Sequence, residues 1–257
     1  GKIRPWNCYV VLMTNNYKDK ILITMKNPWN EFLDNPKQDH LILNDDRIVV
    51  DRFNENAKEE YRIHTEIMPA PFMGNVLDSP VLLLLLNPGF DEEEERKGYY
   101  KLFRHYWEKE IQHEHPVPDL PLFCLEDKYT QFSDYWKRRL RFLIEATSKE
   151  KVAQNVALVQ FFPYHTKKYK TIPKRISTDY LASQQYNFHL VEKAIEREAT
   201  IIMLRGKKKW CEAVSLLKGH NNVSFTNSYL NTYLSKGNLN NFDEIVDKIN
   251  ASLVSAQ

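Results

Sequence analysis

The stretch Val-Leu-Leu-Leu-Leu-Leu-Asn-Pro-Gly-Phe, residues 81–90, decides how this chain is read. Its apolar run is six residues long, and a membrane-spanning helix needs ~20. The run also shows no alternation of apolar and polar positions, so a strand with one wet face does not fit it. A short apolar run stopped by Asn87-Pro88-Gly89 predicts a strand buried on both faces, as in parallel sheets.

The same theme recurs downstream. Residues 156–162 form a second run ended by Pro163, residues 200–204 a third ended near Gly206, and residues 223–226 a fourth ended by Asn227-Ser228. Helical spacing lies between them. It joins Tyr99, Leu102, Phe103, Tyr106 and Trp107, then Trp136, Leu140, Leu143 and Ile144. Ser177 or Thr178 is placed to cap a helix carrying Leu181, Phe188, Val191 and Ile195. Trp210, Ala213, Val214 and Leu217 mark a shorter helix, and Phe242, Ile245, Val246, Ile249 and Leu253 the last one. Strands alternating with helices predict an α/β fold: three α/β/α layers with a mainly parallel four-stranded sheet over residues 76–257.

Residues 1–75 are less regular and are expected to form an N-terminal extension packed on that domain. Segments 9–13, 20–25, 41–43 and 47–50 have strand composition, with Asn44-Asp45-Asp46 closing a hairpin. Pro69, Pro71 and Gly74 mark the junction.

Composition narrows the class. The chain has 257 residues, 42% hydrophobic and 27% charged, with a formal net charge of +2. That is a globular composition, not a disordered one, and it predicts no strong unspecific binding of nucleic acid from totals alone. No secretory signal is visible, and the three cysteines have no metal or disulfide spacing, so a cytoplasmic protein with reduced cysteines and no membrane association is expected. His113, Glu114 and His115 have no third ligand nearby and are interrupted by prolines, so no metal site is assigned.

In parallel α/β sheets ligands sit beyond the carboxyl ends of the strands. The residues there are Asn87-Pro88-Gly89-Phe90, Tyr164-His165, Arg205-Gly206-Lys207 and Asn227-Ser228-Tyr229. Neither the P-loop nor the dinucleotide glycine pattern is present. Basic residues Lys167, Lys168, Arg205, Lys207 and Lys208 follow the second and third strands and are candidate phosphate contacts. The acidic run 91–95 suits a helix N-terminus.

Leu-Leu-Asn-Pro-Gly at 85–89, directly after a buried first strand, resembles the first motif of the uracil-DNA glycosylase superfamily. It is most similar to the mismatch-specific and thymine-DNA glycosylase branch, whose loop reads Gly-Ile-Asn-Pro-Gly. The resemblance covers about two thirds of the chain. It implies a DNA-repair hydrolase that works without a cofactor, with DNA or a nucleotide as partner. Asn87 would orient the attacking water, and Gly89 would leave room where stricter uracil enzymes carry tyrosine.

By the same resemblance Pro88, Phe90, Tyr164, His165 and Asn227 would surround the base, and Ser228 would hold a phosphate. Tyr229 or Leu230 would act as a wedge. The chain departs from the family in two places. Leu85 replaces the leading glycine of the loop, and Thr226-Asn227-Ser228 stands where the family has His-Pro-Ser. Two alternatives therefore stay open: an inactive nucleic-acid or nucleotide-binding module of the same fold, and a protein-interaction module.

Overall fold

The computed structural model describes residues 9–10, 23–34, 40–115 and 119–251. Two short strands, β1 (Tyr9–Val10) and β2 (Ile23–Thr24), pair antiparallel with each other. The main sheet contains β3 (Phe72–Met73), β4 (Val81–Leu85), β5 (Val156–Gln160), β6 (Thr200–Met203) and β7 (Val223–Phe225). Their order is β3-β5-β4-β6-β7. Strands β4 to β7 are parallel, and all four fall on the predicted apolar runs.

The sheet has five strands, one more than the expected four, because β3 adds antiparallel to the free edge of β5. Two residues between Pro71 and Gly74 are too short to show a period in sequence. Gly74 ends β3 at φ 86°, and a Cβ there would lie 3.0 Å from the Val156 carbonyl oxygen. Only glycine combines that backbone with so close an approach.

β4 is the centre of the molecule. It is bonded on both edges, and every one of its residues is buried. Helix Ala182–Glu196 packs on β5 and β6, while helices Lys149–Asn155 and Phe242–Ala251 pack on β5 and β4 respectively. Those two helices also touch each other, completing the α/β/α arrangement. Gln184, not Ser177 or Thr178, serves the start of the Ala182–Glu196 helix: its Oε1 accepts from the Leu181 amide at 3.2 Å. Among the described residues, no helix is long and apolar enough to cross a membrane.

The predicted hairpin at 41–50 is instead a helix, Asn44–Asn54. Asp45 and Asp46 in its first turn favour the positive helix end, and Asp46, Val50 and Phe53 share its buried side. The β-branched Ile48-Val49-Val50 suggests a strand locally, but tertiary packing overrides that preference. Leu41, Ile42 and Leu43 approach the helix fully buried, in the same core as β4.

Tyr164 locks this region to the sheet. Its hydroxyl donates to Asp46 Oδ2 at 2.7 Å and accepts from the Leu43 amide at 3.2 Å. Burial pushes the Asp46 carboxyl up, and Ser183 also binds it. Tyr164→Phe leaves a buried carboxylate oxygen and a buried amide without partners. It should cost about 1–3 kcal/mol, measurable as a lowered urea midpoint with an unchanged m-value.

Candidate functional site

A cavity of about 500 Å³ opens at the carboxyl ends of β4 and β5, with Arg205 beyond β6 in its wall. Strand order reverses at β4, because its sequence neighbour β5 lies on one side and β6 on the other. The loops leaving β4 and β6 therefore diverge and leave a crevice, where ligands bind in such sheets.

Backbone pairing continues past the strand ends and positions the first loop. The amides of Phe161 and Phe162 donate to the carbonyls of Leu85 and Leu86, and Phe90 N donates to Thr166 O at 3.0 Å. Thr166 thus lies beside Asn87. Asn87 Nδ2 donates to Thr166 Oγ1 at 2.8 Å and to the Pro88 carbonyl at 2.9 Å. A carbonyl only accepts, so the amide orientation is determined. Both protons of the NH2 group are used, and Asn87 Oδ1 has no partner among the described residues.

The third strand's loop closes the floor. Gly206 sits at φ 72°, and a Cβ there would be 3.1 Å from Leu86 Cδ1. This turn sends Trp210 back into the interior, where its indole N–H donates to the Leu85 carbonyl at 2.8 Å. Trp210 packs edge to face on Phe161 and Phe188 below.

The cavity wall is rich in aromatic residues, with Phe72, Tyr99, Tyr100, Trp107, Tyr129 and Trp136 among them. The hydroxyls of Tyr99 and Tyr129 share a hydrogen bond. Two polar atoms of the lining residues are buried without partners, the Trp107 indole nitrogen and Gln160 Oε1. Asp91 and Glu94 supply the acidic part of the wall. Asp91 caps helix Glu92–Arg96, its Oδ1 accepting from the amides of Glu93 and Glu94 at 2.8 and 3.0 Å. Glu94 is half-buried, and desolvation together with Asp91 pushes its carboxyl up.

The structure separates the sequence-predicted residues into two groups. Asn87, Pro88, Gly89, Phe90, His165 and Arg205 line the cavity. A Cβ on Gly89 would meet nothing within 4 Å, so this position is open. Phe90 is not a free stacking face: His64 stacks on it at 3.7 Å and Tyr100 at 5.8 Å. Tyr164 is fully buried in the Asp46 lock and does not reach the cavity.

The remaining candidates are engaged elsewhere. Lys167 pairs with Glu92 at 2.8 Å and Lys168 with Glu60 at 2.7 Å, so neither presents an unopposed charge. Lys207 lies 3.7 Å from the Phe225 ring, and Lys208 is 3.9 Å from Glu212. Asn227 Nδ2 donates to Gly237 O and Asn240 Oδ1. Ser228 Oγ accepts from the Asn231 amide at 3.3 Å. Tyr229 and Leu230 stand out at the loop tip, 74% and 84% exposed. Among the described residues no group of His, Cys, Asp or Glu side chains is arranged to hold a metal ion.

Sequence reasoning offered Tyr99 or Tyr100 as a stacking ring, and both line the cavity; it missed Thr166, Glu94, Gln160 and the other rings of the wall. Thr166 follows a candidate by one residue, and the parallel register is the signal that finds it. Trp107, Tyr129 and Trp136 have no such signal, because a helix's core stripe and a cavity lining look alike in sequence.

His165 fastens the Asn87 loop. Its ring nitrogens lie 3.0 Å from Gly89 O and 3.1 Å from Met68 O, and its own carbonyl accepts from His64 N. Complete burial lowers its pKa to about 4, so the ring is neutral at pH 7 and donates to one of the two carbonyls. With the folded value depressed, the unfolded chain takes the proton first. This contribution to stability is present above about pH 6.5 and is lost as pH falls from there toward 4. His165→Asn should flatten the stability–pH slope in that window by up to about one proton, measured by urea titrations at stepped pH.

No protein-family model matches the chain, and no curated protein or solved structure matches it.

Proposed function

We propose that the cavity binds a nucleobase or nucleotide and hydrolyses its N-glycosidic bond, as the uracil-DNA glycosylase resemblance implies. The observation that carries this reading is the Asn87 side chain. Both its N–H bonds are taken by Thr166 and Pro88, which aims the unpartnered Oδ1 as an acceptor for a water. The aromatic residues of the wall suit a heterocycle.

In the proposed step, water held on Asn87 attacks C1′ while the bond to the base nitrogen breaks, and the electron pair leaves with the base. An amide orients water but does not deprotonate it. Glu94, one of two carboxylates in the wall, is the group assigned to take that proton, and Arg205 is the cation in the lining available to a phosphate.

Oligonucleotides carrying uracil, hypoxanthine or a mismatched thymine should release free base. Asn87→Ala should lower the rate about 100-fold or more, the size of effect that loss of a positioned group produces. Absence of release from all three substrates overturns hydrolysis. Gly89→Tyr projects a ring into open space, so it should leave the melting temperature within about 2 °C of wild type and exclude thymine more than uracil.

A second reading keeps base binding and drops hydrolysis. It is favoured by Asn227, which is bonded within its own loop where the family's leaving-group histidine stands. Calorimetric binding of free bases without turnover selects it.

A further inference from the structure

Lys167 and Lys168, two of the residues expected to hold phosphate, are paired with carboxylates, yet a different basic surface borders the cavity. Helix Tyr135–Ala146 reads Tyr-Trp-Lys-Arg-Arg-Leu-Arg-Phe in its first eight residues. Tyr135 and Trp136, which begin it, line the cavity. The Arg139 guanidinium lies 3.3 Å over the Tyr135 ring and 5.6 Å from Tyr233, and Arg141 lies 4.4 Å over Phe142 and 5.8 Å from Tyr233.

The loop holding the exposed tip is tied to this helix. Arg139 Nε donates to Thr232 Oγ1 at 2.9 Å, and the Leu234 amide donates to the Arg139 carbonyl at 3.1 Å. Within the loop, Asn238 Nδ2 donates to the carbonyls of Asn231 and Tyr233, and its Oδ1 accepts from Ser228 N. The loop's polar groups are thus satisfied internally while Tyr229 stays 74% exposed. Arg205 joins the tip to the cavity: it donates to the Tyr229 carbonyl and also lines the cavity. Arg138 pairs with Asp134, but Lys137 and Arg141 are exposed and have no acidic partner among the described residues.

We infer that this surface is a platform for single-stranded nucleic acid, its backbone tracking Lys137, Arg141 and Arg205 and one base stacking on Tyr229. Alternating cations and exposed rings are what strand binding without base pairing requires, since phosphates need positive charge and every base has a face to stack. A duplex must first be unstacked to offer a base face to Tyr229, whereas a single strand offers its bases without that cost. The acidic wall of Asp91 and Glu94 repels phosphate and confines the backbone to the arginine side. The inference rests on the base-binding reading for its purpose, but not for its test.

Fluorescence anisotropy with labelled oligothymidine and oligouridine of about twelve nucleotides, a length within the site sizes of single-strand binders, tests it against a hairpin duplex of equal length. Both single strands should bind more tightly than the duplex, with affinity falling as salt rises. Lys137→Glu and Arg141→Glu should each weaken binding about tenfold and reduce the salt slope by roughly one. Tyr229→Ala should weaken it about tenfold with the slope unchanged.

Neither Lys137 nor Arg141 lines the cavity, so calorimetric binding of free uracil should be the same in both charge variants as in wild type. Tighter binding of the duplex, unchanged affinity in all three variants, or self-association by light scattering that occupies this surface would each overturn the platform. Free uracil binding without strand binding overturns the platform alone. Strand binding lost in the variants, without any base entering the cavity, supports the platform and overturns the base-binding reading instead.

Discussion

The hydrogen bonds that β4 makes along both of its edges are the constraint on which the rest of the structure depends. A strand wholly buried and bonded to β5 and β6 cannot slip by one residue without exposing amides to an apolar interior. That register passes into the loops. Phe161 and Phe162 donate to Leu85 and Leu86, and Phe90 to Thr166, so the Asn87 side chain is positioned by the same backbone that holds the sheet.

Secondary supports hold the loop from three sides. Trp210 reaches under it to the Leu85 carbonyl, His165 spans Gly89 and Met68, and His64 stacks on Phe90. The described part of the first 75 residues contributes to this directly. It supplies the edge strand β3, the Asp46–Tyr164 lock and the His64 ring, and its apolar side chains share the core of the α/β sheet. These are interior contacts that burial makes costly to break, whereas the surface pairs Lys167–Glu92 and Lys168–Glu60 contribute little to stability. Their effect is electrostatic: they offset the charges of Lys167 and Lys168, while Arg205 and the helix Tyr135–Ala146 keep theirs.

Much of the fold was legible because its signals are local. Four apolar runs bounded by Pro, Gly or Asn became the four parallel strands, and the acidic run became a helix start capped by Asp91. The failures were cases where packing outweighed local preference. Residues 47–50 have strand-like composition but lie in the helix Asn44–Asn54, which buries Val50 and Phe53. Phe72–Met73 is a strand only because β5 offers an unpaired edge.

By itself, the sequence determined the sheet's central strands, their parallel direction and the place of the Asn-Pro-Gly loop at a strand's carboxyl end. Apolar runs, turn residues and helical spacing are properties of neighbours along the chain. The tertiary structure alone decided which loop residues face one cavity, since that depends on strand order and on contacts between distant segments. It turned Tyr164 inward to Asp46, stacked His64 on Phe90, bound Lys167 and Lys168 to carboxylates, and brought Tyr135 and Trp136 to the cavity beside Asn87. Each of these outcomes joins segments far apart in the chain, and no spacing encodes it.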